Sequence, residues 1–68
     1  MHEIWVNATF SEEPHNAWKN FCDAHILSMR SELPDYNAEI VTSSGFDFIL
    51  QFDSREDFML FMLKWGGV

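Results

Sequence analysis

Sixty-eight residues, 47% of them hydrophobic and 16% aromatic, make a single domain over 1–68 that is too apolar for a disordered tail despite a net charge of −7. Cys22 stands alone, which excludes a disulfide within the chain, and eleven acids against four bases disfavour direct contact with nucleic acid or an anionic membrane. A basic protein partner is compatible with that surface, although the plainer role of the acids is solubility.

The first ten residues alternate in polarity and lack a basic start, so no signal peptide is expected. With a single thiol, the expected compartment is the reducing cytoplasm. In "HEIWVNATF", residues 2–10, Ile4, Val6, Ala8 and Phe10 alternate with Glu3, Trp5, Asn7 and Thr9. Period two means a strand with one apolar face.

"SEEPHNAWKNFCDAHILSMRSELP" follows as a helix. Ser11 is placed to cap it, Glu12 and Glu13 suit its positive end, and Pro14 is tolerated in the first turn. Trp18, Phe21, Cys22, His25 and Met29 form one helical stripe, and Pro34 predicts an end near Ser31.

"DYNAEIVTSSGFDFILQFD" reads as a hairpin. A three-residue Ser43-Ser44-Gly45 loop, with Gly45 at positive φ, would set Thr42 against Phe46, Ile40 against Phe48, Ala38 against Leu50 and Tyr36 against Phe52, gathering the apolar residues on one face. A two-residue Ser44-Gly45 loop would set Glu39 beside Leu50 instead.

In "DSREDFMLFMLKWGGV", Ser54 and Asp57 resemble a capping box, Lys64 suits the helix C-terminus, and Gly66 is placed as a C-cap. Phe58, Phe61, Met62 and Trp65 form the inward stripe, leaving Leu60 and Leu63 outward. The apolar run is far shorter than the roughly 20 residues that cross a bilayer. The expected fold is therefore α+β. It is a two-layer βαββα sandwich, with a three-stranded antiparallel sheet and two helices on one face. This is a ferredoxin-like arrangement truncated before its fourth strand, with the first strand beside the third and open at its outer edge.

No catalytic, cofactor or metal signature stands out. Cys22 and His25, one turn apart, could touch one ion or form a nucleophilic pair, but structural zinc takes four ligands and nothing orients such a pair. A packed histidine is the plainer reading. Asp53, Glu56 and Asp57 gather where a helix dipole already accounts for them. A small metal-binding protein or enzyme using Cys22 and His25 stays as the alternative. A DNA-mimicking inhibitor is a further one, which would need its acids in ordered rows.

The second sheet face is more informative. It should carry Glu3, Trp5, Asn7, Thr9, Val41, Asp47, Ile49 and Gln51, with Trp5, Ile49 and Val41 at the centre. Exposed aromatics on a sheet can stack bases, but the basic residues such a surface needs are absent. An apolar centre with a polar rim is the anatomy of a protein interface. Trp5 and Ile49 are the expected anchors, with Val41 beside them and Glu3, Asn7, Glu39 and Asp47 as the polar surround.

Phe61, Leu63, Lys64, Trp65 and Gly66 supply one outside resemblance. This ending is similar to that of many short tailed-bacteriophage proteins, where a Phe-x-Leu-Lys/Arg-aromatic-Gly tail closes an acidic helix. The resemblance implies a viral origin, with the host cytoplasm as the compartment, and no defined activity; small phage proteins often act by binding a host protein, which favours an interaction role. The expected function is thus a non-enzymatic protein-interaction module without cofactor or metal. Its partner would be another protein or a second copy of itself, a homodimer through the first strand or the open sheet face.

Overall fold

The computed structural model describes residues 1–66. Strand β1 (His2–Asn7) leads into helix α1 (His15–Ala24), then a short helix α2 (Met29–Glu32) and a 3₁₀ turn (Leu33–Tyr36). Strands β2 (Ala38–Ser44) and β3 (Asp47–Phe52) form a hairpin, and helix α3 (Arg55–Trp65) ends the described chain. The sheet is antiparallel in the order β1-β3-β2, with the first strand beside the third as expected. No helix among the described residues is long and apolar enough to cross a membrane.

The core follows from the two periodicities. Val6 from β1, Leu50 and Phe52 from β3, Trp18 and Phe21 from α1, and Phe61 from α3 are all essentially inaccessible. Phe21 is the hub: its ring meets those of Trp18, His25, Tyr36, Phe61 and Trp65 at centroid separations of 4.8–5.9 Å. Such stacked, tilted and edge-on pairs stabilise beyond the area they bury. Phe58, Phe61, Met62 and Trp65 face inward from α3, as expected.

Four local features depart from the sequence reading. β1 ends at Asn7 and not at Phe10, because the Asn7 side chain accepts from the Thr9 amide at 2.8 Å and turns the chain. The helix expected from Ser11 to Ser31 begins at His15, with Pro14 and not Ser11 at its N-cap, and breaks after Ala24. A continuous helix would separate Cys22 from Met29 by about 10 Å of axial rise. Instead the break folds α2 back and brings their sulfurs to 3.3 Å.

The hairpin register also differs. Gly45 does take positive φ, 61°, but the turn is Gly45-Phe46, closed by Ser44 opposite Asp47. Glycine at the first central position is what a type II′ hairpin turn requires. Ser43 then faces Phe48 and Thr42 faces Ile49, after which the ladder slips at Val41. Without that bulge Val41 would oppose Leu50 and turn inward. With it, Ile40 opposes Leu50 and Ala38 opposes Phe52, so both return to the core face.

Gly66 does cap α3, but in an extended conformation, its amide bonded to the Met62 carbonyl at 2.7 Å. Its lack of a side chain matters for space: a Cβ there would run into the Glu13 carboxylate and lie 2.8 Å from the Met62 oxygen.

Candidate functional site: the open face of the sheet

The helices cover one face of the sheet and leave the other to solvent. Strand pairing lays that face out in three rows. Glu3, Gln51 and Glu39 form the first, Trp5, Ile49 and Thr42 the second, and Asn7, Asp47 and Ser44 the third. Trp5 is 44% exposed beside half-buried Ile49. Val41, 49% exposed, is the bulged residue next to Thr42. The structure therefore brings together seven of the eight residues that alternation pointed to, with Val41 at the margin of the central row, while Thr9 lies in the turn beyond the end of β1.

Trp5 is held in place. Its indole N–H donates to Asp47 Oδ1 at 3.1 Å, and the same oxygen accepts from Asn7 Nδ2 at 2.6 Å. Phe10 and His15 stand edge-on to the indole at 5.4 and 5.0 Å, and to each other at 4.8 Å. Phe10 shares strand parity with the inward residues, so its place here was not expected. The Asn7 turn carries it around the edge of β1. Asn7-x-Thr9 is the one signal that could have suggested it.

His15 does more than pack. It is buried, and its Nδ1 accepts the Asn7 backbone N–H at 2.9 Å. An accepting Nδ1 places the ring proton on Nε2. In an antiparallel ladder alternate residues point their backbone groups the same way, so Glu3, Trp5 and Asn7 present theirs at the outer edge of β1. His15 closes the Asn7 end of that edge, leaving Glu3 and Trp5. The free edge expected along the first strand is thus cut to two residues.

Comparison with family models, with curated proteins and with solved structures gives no match.

The charge pattern is sharply divided. Lys19, Arg30, Arg55 and Lys64 are the only four Lys and Arg residues, and all lie on helices. The open face carries Glu3, Glu39 and Asp47 and no Lys or Arg.

Cys22 and His25 sit on the helical side. The Cys22 thiol donates to Met29 Sδ, and burial together with the neighbouring Asp23 charge pushes its pKa up to about 12. Burial of this kind disfavours the thiolate that nucleophilic chemistry needs. The His25 ring packs on Phe21 at 4.8 Å and on Trp65 at 5.4 Å. Among the described residues no three His, Cys, Asp or Glu side chains converge as metal ligands would.

Proposed function

We propose that this protein is a non-enzymatic interaction module whose open sheet face docks on a basic surface of a partner protein. The observation that carries this reading is an ordered, half-exposed Trp5 at the centre of a face whose charged side chains are all acids and over which no described helix packs. Tryptophan is enriched among the residues that dominate binding energy. Its orientation is already set by Asp47, Phe10 and His15, so little conformational freedom is lost on docking. Glu3, Glu39 and Asp47 supply steering and selectivity toward cations. The same acids oppose a second copy on this face, since a two-fold pairing would bring six of them together. The phage-like ending Phe61–Gly66 supports a place among accessory factors that act on a host protein in the host cytoplasm.

Capture from a bacterial lysate tests this with wild type, Trp5→Glu and Leu63→Glu as baits. The expected partner is retained by Leu63→Glu, lost with Trp5→Glu, and released progressively by salt, which screens the acid rim. A partner held equally well by Trp5→Glu would refute the reading.

A further inference from the structure

Among the described residues, none packs over the outward side of α3. Around the helix, at about 100° per residue, Glu56 and Leu63 stand at the middle of this side, Met59 and Leu60 flank them, and Arg55 and Lys64 mark its two margins. Met59, Leu60 and Leu63 are 53%, 62% and 82% exposed. With Arg55 and Glu56 they line a shallow groove. Apolar residues scattered singly on a surface are ordinary, but three within two helical turns form a patch of the kind that marks an interface. Two of the chain's four cations border it, in a molecule whose net charge is −7.

We propose that α3 packs antiparallel against α3 of a second copy, around a two-fold axis that passes close to Leu60. The charges select both occupant and register. Glu56 lies four residues before Leu60 and Lys64 four residues after it. With Leu60 facing its own mate, each Glu56 meets the other copy's Lys64, and symmetry makes two such pairs. Met59 and Leu63 close the apolar strip between them. The two helix dipoles also run in opposite directions, which is favourable. The net charge of −7 opposes an anionic membrane as the alternative occupant. The sheet face, whose charged side chains are all acids, is a poor place for self-association, whereas this side carries both signs and complements itself.

A single-helix interface is small against the roughly 800 Å² per partner of standard complexes, so the dimer is concentration-dependent. Because α3 lies under the helical face, dimerisation leaves both open sheet faces free and makes the module bivalent. This inference is independent of the sheet-face reading and stands or falls separately.

Sedimentation equilibrium over a concentration series tests it, with thermal melts confirming that each variant is folded. Wild type should rise from 8.0 kDa toward twice that mass, and Leu63→Glu should stay at 8.0 kDa. Glu56→Lys should weaken association about tenfold, since two exposed ion pairs are lost, and Glu56→Lys combined with Lys64→Glu should restore it. A wild type that stays at 8.0 kDa even at its highest soluble concentration overturns the proposal. So does a dimer that persists in folded Leu63→Glu, or one that Trp5→Glu dissociates, which would move the second copy to the sheet. Failure of the charge swap to restore association overturns the antiparallel register. Flotation with anionic vesicles that depends on Leu63, in a protein that sediments as a monomer, would assign the face to lipid instead.

Discussion

Replacing His15 by Phe isolates one hydrogen bond from the packing around it. The imidazole is only 5% exposed, and its Nδ1 accepts the Asn7 amide at 2.9 Å. Phenylalanine keeps an aromatic ring against Trp5 and Phe10 and removes the acceptor alone. An amide left without a partner away from water costs about 1–3 kcal/mol. Asn7 is only half-buried, so water reaches part of the site and the lower portion of that range, about 1–2 kcal/mol, applies. Against a total stability of roughly 3–10 kcal/mol for a domain of this length, that is a large share. It should lower the melting temperature by roughly 4–16 °C, and the urea midpoint by roughly 1–2 M at an m-value of about 1 kcal/mol/M. His15→Ala, which also removes the ring contacts, should cost more. Hydrogen exchange adds an internal control: the Asn7 amide should exchange more slowly than those of Glu3 and Trp5 on the same edge. An unchanged midpoint in His15→Phe, or Asn7 exchanging as fast as Trp5 in the wild type, would refute the assignment of His15 as the cap of this edge.

Gly45→Val should cost about 1–3 kcal/mol from backbone strain at φ 61° alone, because no atom of the described residues lies within 4 Å of an added Cβ; Gly45→Asn should cost much less, and equal melting temperatures for the two would dismiss the turn argument. Ser54→Ala should destabilise by about 1 kcal/mol in chemical denaturation, since Ser54 Oγ accepts the Asp57 amide at 3.2 Å and donates to its carboxylate at 2.9 Å. The raised Cys22 pKa links to stability in a defined direction. The folded thiol keeps its proton where the unfolded one, with its pKa at 9.0, releases it, so this contribution is complete below pH 9 and lost as pH rises toward 12. Cys22→Ala should therefore show a flatter decline in melting temperature above pH 9, and wild-type Cys22 should react with a thiol reagent at pH 8 far more slowly folded than in urea; equal rates would remove the burial argument.

The three strands, the two longer helices, their order and the side each buries were written in local periodicity, whereas α2 and the 3₁₀ turn were not. Alternation in residues 2–7 and helical spacing of Phe58, Phe61, Met62 and Trp65 report which side of an element meets the core, whatever that core contains. The same alternation put Trp5 and Ile49 on one face, and strand order then made them neighbours. Leu60 and Leu63 were legible as outward for the same reason.

Tertiary structure decided what periodicity averages away. Asn7 ends β1 through a side-chain bond to Thr9, so Phe10 crosses to the face opposite its parity. The stripe Trp18, Phe21, Cys22, His25, Met29 suits a continuous helix equally well, and only the packing of Met29 back against Cys22 shows that the chain breaks at His25. The bulge at Val41 is invisible in either strand alone, because it arises from reconciling a two-residue turn at Gly45-Phe46 with Ile40 and Ala38 facing inward across β3. His15 likewise carries no signal in its neighbours. Its partner is an amide eight residues earlier whose direction is set only once β1 has paired with β3. Each of these depends on where a second segment lies, and spacing along one segment does not contain that information.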